Sequence, residues 1–439
     1  MLGALGCLVA IAFMVVVIFK GLHPLIAALI ASLIAILANG ADIWKSLLDG
    51  FGGGMTGFIK SYVLMFFLGA ALGEFMSRSE YAKAIAYKMV DLFGSKRGIL
   101  VVLVATAILT YSGVSVFVVI FTVYPIALYV FQQGDIPRRL IPAVVNLGAG
   151  VFTMTMLPGS PALTNVIPTT YCGTNIYAAP VLGCILAVIA ALLGYSYLVW
   201  DAKKMQKNGE HFAPGRNDVV EPISIEARAG LPNFFIAFVP VIIIFVGNLV
   251  FARMGLNSTF GVCISLLLGI LYIILTSWNK LTGKSRMEGL NKGATSALFA
   301  ITNTAAIVGF AGVVKVLPAF TSFTNIATNM PFPPIVSATL SMDLIAGITA
   351  SSSGGIQIFM QLLSAKYLEA GINPQILHRM CAVAAGTLDS LPNAGPHATF
   401  FSVCDLTYKE GYPPVCVMTC VIPFLCQIIG IVLASMGVC

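Results

Sequence analysis

From residue 2 to residue 437 the chain is a succession of long apolar runs with few charges inside them. They fall at about 2–19, 24–38, 59–77, 98–131, 138–170 and 177–200, and again at about 231–252, 259–277, 295–314, 332–368, 376–404 and 414–437. Such a chain cannot have water as its only solvent. Soluble domains carry roughly 25% charged residues, whereas here the charged share is 9%. A helix needs about 20 apolar residues to span a bilayer, and only helices or closed barrels satisfy their backbone there. The sequence therefore predicts an all-α polytopic membrane protein of the cell (inner or plasma) membrane. Its first run has no basic segment before it and no polar cleavage segment after it, so it reads as a span, not a removed signal.

Several classes of function are excluded on the same residues. The net charge of +7 comes from basic residues at segment ends, not from a stripe interleaved with aromatics, so no nucleic-acid partner is expected. No CxxC occurs among the ten cysteines, and Cys416 and Cys420, one helical turn apart, have no histidine near them. Neither a disulfide framework nor a structural metal is expected. No GxSxG, HExxH, GxGD-like or Walker sequence is present, so the chain reads as neither an enzyme nor, by itself, an ATP-driven pump.

The two sets of runs match in order and length, offset by about 235 to 240 residues, on either side of a polar stretch at 201–229 holding ten charged residues. Tyr111-Ser112-Gly113-Val114-Ser115 interrupts the fourth run, and Ser351-Ser352-Ser353-Gly354-Gly355 interrupts its counterpart. Leu157-Pro158-Gly159-Ser160-Pro161 interrupts the fifth, and Leu391-Pro392-Asn393-Ala394-Gly395-Pro396 its counterpart. Duplication at this scale is a transporter signature. The run 98–131 is too long for one span and too short for two with a loop, so it reads as a re-entrant hairpin turning at its Ser/Gly tip. The runs 138–170 and 376–404, with prolines at mid-length, read as crossings made of two half-helices.

Each half then has five crossings, a re-entrant hairpin and a broken helix, and the odd number of crossings inverts the second repeat. The domains follow: a first inverted repeat over 1–200, a cytoplasmic linker over 201–230 and a second repeat over 231–439. With residue 1 outside, 18 of the 24 Lys and Arg fall on cytoplasmic loops, including Arg78, Arg138, Arg139, Lys280 and Lys292. That bias supports ten crossings with both termini outside. Two stretches, 79–93 and 316–329, read as interfacial helices ahead of each hairpin.

Irregular backbone at membrane depth leaves N–H and C=O groups that protein, water or a ligand must satisfy. Half-helix N-termini offer donors and partial positive charge to an anion, and C-termini offer carbonyls to a cation. The residues at the breaks are the candidates for substrate: Ser112, Gly113, Ser115, Ser160, Thr164, Asn165, Ser352, Ser353, Gly354, Asn393 and His397. For a coupling cation they are Asn146, Thr155, Asp343 and Asp389, because a carboxylate inside a membrane segment is functional by default. Arg138, Arg139, Lys315 and Arg379 all read as segment ends. With no cation expected at mid-membrane, a small singly charged acid with co-bound Na+ or H+ is favoured over a di- or tricarboxylate.

The run LPGSPALTNVIPTTYCGTNIYAAP (Leu157 to Pro180), the SLPNAGPH run (Ser390 to His397) and the Ser/Gly tips resemble the gluconate permease (GntP) family over essentially the whole chain. The likeness is greatest to its D-β-hydroxybutyrate permease-like members. That family belongs to the ion transporter superfamily, so the resemblance implies a homodimer and an elevator-type transporter. Its mobile part would be 98–200 and 332–439, moving past scaffold spans 1–77 and 231–314. Sugar-acid members carry a PHPGP-like break, but here the run is Pro392-Asn393-Ala394-Gly395-Pro396, a departure that favours a shorter acid. The expected function is a symporter importing a short hydroxy monocarboxylate such as 3-hydroxybutyrate, with no cofactor beyond bound Na+. Na+ is favoured narrowly over H+, since the breaks offer many carbonyls and few titratable groups. The alternatives are a gluconate or other sugar-acid:H+ symporter and a cation/proton exchanger of the same fold.

Overall fold

The computed structural model describes residues 2–19, 22–114, 116–216, 218, 220, 230–319, 331–349, 351–391, 394, 397, 400–401 and 403–439. Among them the regular structure is entirely helical. The first half supplies α1 (Leu2–Phe19), α2 (Pro24–Ala38), α3 (Ile43–Arg78), α4 (Tyr81–Phe93), α5 (Gly98–Tyr111), α6 (Val116–Gln133), α7 (Arg138–Met156), α8 (Leu163–Cys172) and α9 (Pro180–Lys207). The second half supplies α10 (Phe234–Arg253), α11 (Ser258–Thr276), α12 (Gly283–Val316), α13 (Pro334–Thr349), α14 (Ser352–Leu362), α15 (Ser364–Glu369), α16 (Pro374–Ala385) and α17 (Tyr408–Ser435).

Seven of the described helices, α3, α7, α9, α10, α11, α12 and α17, are long and apolar enough to cross a membrane, and α2 and parts of α1 and α13 are shorter apolar helices. Their outward faces carry the same chemistry as their cores. Val181, Val188 and Leu192 on α9, and Val421, Leu425, Ile428 and Val432 on α17, are all exposed. Each set is spaced three, four or seven residues apart and so forms one stripe. A soluble surface rarely tolerates such stripes; hydrocarbon solvates them. α7 is the counter-example, largely enclosed by other helices.

The longest contact in the fold is between α3 and α12, which run antiparallel. At one end Arg78 pairs with Glu74 and Glu288, and Lys292 with Glu74. At the other end glycines bring the two backbones together. A Cβ at Gly54 would lie 2.8 Å from Val308 O and 3.2 Å from Gly309 Cα, and one at Gly50 would lie 2.8 Å from Val313 Cα. Small residues at a crossing are how membrane helices gain packing when lipid is as apolar as leucine. Both helices begin earlier than the apolar runs 59–77 and 295–314, because glycine at a close crossing does not end a helix.

α5 and α6 form the first hairpin. Its turn includes Gly113 at φ +92°, a left-handed conformation open to glycine. α13 and α14 form the second, where Ser351 caps α14 by accepting from Gly354 N–H at 3.1 Å. α4 forms where an interfacial helix is expected and meets the helix that follows at 112°. Of the counterpart expected at 316–329, residues 320–329 lie outside the described residues.

The first broken crossing is asymmetric: α7 runs its full length to Met156, the chain turns extended at Leu157, and only α8 follows. The last turn of α7 is wide, with Leu157 N–H donating to Phe152 O at 2.8 Å, the five-residue spacing that recurs at functional sites. In the second half α16 ends at Ala385, and α17 begins at Tyr408.

Candidate functional site

The first hairpin tip folds onto the first break. A Cβ at Gly113 would lie 3.4 Å from Pro161 Cγ and 2.9 Å from Leu266 Cδ2 of α11. Tyr111 Oη donates to Pro158 O at 2.8 Å. The break is held from behind as well: Gly159 N–H donates to Ile176 O at 2.9 Å, and Asn248 of α10 reaches Gly159 O at 3.5 Å.

Asn165, in the first turn of α8, is the hub of this side. Its Nδ2 donates to Ser160 O at 2.9 Å and to Ile176 O at 2.8 Å, and its Oδ1 faces His378 Nε2 of α16 at 3.2 Å. The other ring nitrogen of His378 meets Thr174 Oγ1 at 2.7 Å. An amide in a membrane interior needs external partners, and Asn165 finds three.

The second tip meets the second break in the same manner. Asp389 accepts from Ser390 Oγ at 3.0 Å and faces the hydroxyl and backbone of Ser352 at the start of α14. A Cβ at Gly347 would lie 3.1 Å from Leu388 Cβ, and Gly354 faces Ile307 of α12. The α14 N-terminus is therefore served by a carboxylate of the protein itself, the charge that a helix start favours. Asp343, buried on α13, takes one donor on each oxygen: Thr387 Oγ1 at 2.5 Å, just past α16, and Gln427 Nε2 at 2.7 Å, on α17.

The helix ends that lead into the two breaks touch. A Cβ at Gly386, directly after α16, would come within 2.6 Å of Thr155 Cγ2, one residue before the end of α7. So Thr155, Thr387 and Asp343 form one group at the junction, and Asn165, His378 and Ser160 form a second, each joined by its own contacts. Ser160, Thr164, Asn165, Thr387 and His378 all have 0% exposure.

Several other candidates spend their hydrogen bonds locally, as hydroxyls and amides in helices often do. Ser112 Oγ donates to Leu109 O, Thr155 Oγ1 to Val151 O and Asn146 Nδ2 to Pro142 O, while Thr164 Oγ1 reaches across the break from α8 to Met154 O of α7. Asn146 lies ten residues before the end of α7 and bonds to its own helix. His397 turns its Nε2 to Ser390 O at 2.8 Å, between the rings of Phe401 and Tyr412. Ser353 Oγ reaches Ser351 Oγ at 3.4 Å. Ser115 and Asn393 lie outside the described residues.

One expectation is overturned. Arg379 is not a segment end facing water: it is the sixth residue of α16 and has 0% exposure. Its guanidinium donates to Ala178 O at 2.9 and 3.1 Å and to Ile176 O at 3.4 Å, and its Nη1 has no partner among the described residues. The reason is tertiary: the loop between α8 and α9 folds over the start of α16 and encloses it. His378, Gln427 and Asn248 also escaped the sequence reading. Gln427 and Asn248 had a signal, each being an amide inside an otherwise apolar run.

A cavity of about 330 Å³ lies beside the first break, between α5, α7 and α10, lined by Ile108, Tyr111, Phe152, Leu157, Val241 and Phe245 among others. Its wall is apolar, so it does not by itself present groups for a small acid. Among the described residues no cluster of His, Cys, Asp and Glu could hold a metal ion.

The citrate transporter family model, CitMHS, matches residues 14–352. The chain is similar to the uncharacterized transporter YxjC of Bacillus subtilis (strain 168), with 35% identity over 94% of each chain. It is also similar to an uncharacterized transporter of Haemophilus influenzae, at 24% identity over 91% of this chain and 89% of the other. In fold it is similar to the crystal structure of the YdaH transporter of Alcanivorax borkumensis. The TM-score is 0.60 over 90% of each chain at 14% identity, a likeness that speaks for the fold alone.

Proposed function

Since the chain belongs to the CitMHS citrate transporter family of membrane transporters, we propose that it is a secondary active transporter importing a small hydroxycarboxylate together with Na+ or H+. The observation that carries this reading is the contact between the helix ends that lead into the two breaks, Thr155 against Gly386, with a hairpin tip folded beside each. Unwound backbone at membrane depth is tolerated where protein encloses it or where it lines a water-filled cavity, and in transporters such broken helices hold the substrate and ion sites. The two sides differ in charge. Asp343 and Asp389 sit with the second break and suit a cation or a proton. The first break has hydroxyls, amides and the start of α8, which suit an anion.

Two acids fit the class. A short hydroxy monocarboxylate such as 3-hydroxybutyrate follows from the gluconate-permease-like runs, and citrate from the family description. The buried Arg379 removes the electrostatic argument against the more highly charged acid. The proposal includes the wider architecture: inverted repeats 1–200 and 231–439 joined by the cytoplasmic linker 201–230, ten crossings with both termini outside, and an elevator-type homodimer in the cell membrane. The ends of α3 and α12 fit that topology, because Arg78 and Lys292, expected on one side, meet there through Glu74.

Reconstitution into proteoliposomes tests the function. Labelled 3-hydroxybutyrate and labelled citrate are offered under a Na+ gradient without a pH difference, then under the reverse. Saturable uptake of at least one acid, driven by one of the two gradients, is expected. No saturable uptake of either acid under either gradient would refute the reading. A cation/proton exchanger is the second reading, favoured by the enclosed Asp343; Na+ flux linked to protons with no acid present would support it instead.

A further inference from the structure

Arg379 is the largest of the fully buried side chains, and its surroundings supply dipoles without supplying charge. The Nε and Nη2 edge is fixed by the carbonyls of Ala178 and Ile176. It passes over Gly183 at the start of α9, where a Cβ would lie 3.1 Å from Nε and 2.7 Å from Met156 O. The ionisable groups facing it are His378, Tyr111 and Cys184, and among the described residues no carboxylate is paired with it. Nη1 is buried with no acceptor among the described residues. A guanidinium cannot discharge itself by losing a proton, and buried charges in membranes are paired. An anion is the missing partner, and the planar fork of arginine suits a carboxylate.

We infer that Nη1 of Arg379 is the docking point for a carboxylate group of the transported acid; this deepens the transport reading above and rests on it. The position lies on the first-break side. Tyr111, which faces the guanidinium, holds Pro158 O, and Arg379 adjoins His378, which holds Asn165. The acid would thus sit across the junction from Asp343 and Asp389, which leaves those carboxylates to the coupling cation. A purely structural arginine, serving only to strap residues 176–178 to α16, would affect stability but not affinity.

The test is equilibrium binding of labelled 3-hydroxybutyrate and labelled citrate to the purified full chain, with the thermal midpoint measured on the same samples. Wild-type protein is expected to bind at least one acid. Arg379→Gln should weaken that binding roughly 10- to 100-fold, Arg379→Lys should weaken it less, and neutral methyl 3-hydroxybutyrate should not compete. Binding by Arg379→Gln within about twofold of wild type, even with a lowered thermal midpoint, overturns the site and leaves the transport reading standing. Wild-type protein that binds neither acid overturns the transport reading, and this site with it. If Arg379→Gln does not fold, phenylglyoxal modification of Arg379 in reconstituted wild-type protein, followed by mass spectrometry, decides. Slowing by 3-hydroxybutyrate or citrate is expected, and an unchanged rate overturns the site.

Discussion

Asp343 carries its carboxylate into the interior and meets two donors, from Thr387 and Gln427. Two hydrogen bonds do not compensate a full negative charge at membrane depth, which is why a cation or proton is proposed there. Asp343→Asn keeps the volume and removes the charge. It is expected to abolish gradient-driven uptake or to eliminate its dependence on the driving ion, and uptake with wild-type ion dependence would clear Asp343 of coupling. Gln427→Leu strands one carboxylate oxygen, at about 1–3 kcal/mol, and should lower the thermal midpoint. Asn165 was legible from sequence because an amide in an apolar run must find partners. Its particular partners, Ser160, Ile176 and His378, were not legible, because they lie up to 213 positions away.

At the scale of elements, the α3–α12 crossing depends on where glycine lies, not on how much glycine there is. Gly54 faces Val308 O and Gly309 Cα, whereas Gly57, three residues on, has nothing within 4 Å of where its Cβ would be. Gly54→Val must separate the helices, and overpacking of this kind costs typically 1–3 kcal/mol. The purified protein should show a lower thermal midpoint and poorer monodispersity. Gly57→Ala should be neutral or stabilising by roughly 0.5–1 kcal/mol, since alanine is the better helix former. Equal effects of the two substitutions would contradict the crossing. Both helices start well before their apolar runs, because hydropathy marks contact with lipid while the helical backbone follows hydrogen bonding.

For the whole molecule, the linker ties the broken elements together. α9 continues two turns past its apolar run to Lys207, and residues 210–216 and 218 then lie across the start of α7. Arg138 donates to Ala213 O, Cys404 O and Asp405 O and pairs with Asp218, which also accepts from Tyr124 of α6. Arg139 pairs with Glu210. Asp135 accepts from His211 at 2.6 Å and from Phe212 N–H at 3.1 Å, and these bonds hold its carboxyl below the usual carboxylate range. A carboxylate with a lowered pKa contributes its stabilisation above its ordinary value of about 3.9, and loses it as the pH falls through the lowered one. The pair is exposed, so its contribution is small and salt-screened. Asp135→Ala is expected to speed tryptic cleavage at Lys207 or Arg216 at neutral pH. A spin label at residue 209 should gain mobility in the wild type only below the ordinary carboxylate range. Cleavage unchanged by Asp135→Ala would show that the Arg138 and Arg139 contacts hold the linker alone.

The residue pattern alone dictates the solvent of this protein, its helical class and the places where its helices break. Each of these follows from local composition, because a run of apolar residues, a Ser/Gly tip or a proline acts on the backbone within a few positions. It also marks Asp343, Asp389 and Asn165, since a polar group inside such a run is conspicuous wherever the chain goes. Packing between distant segments settles which helix ends meet and which polar groups become partners. It also encloses Arg379, because the loop that covers it is brought there from some 200 residues away along the chain. Burial is a property of what lies across the interface, and no run of residues records its own neighbour.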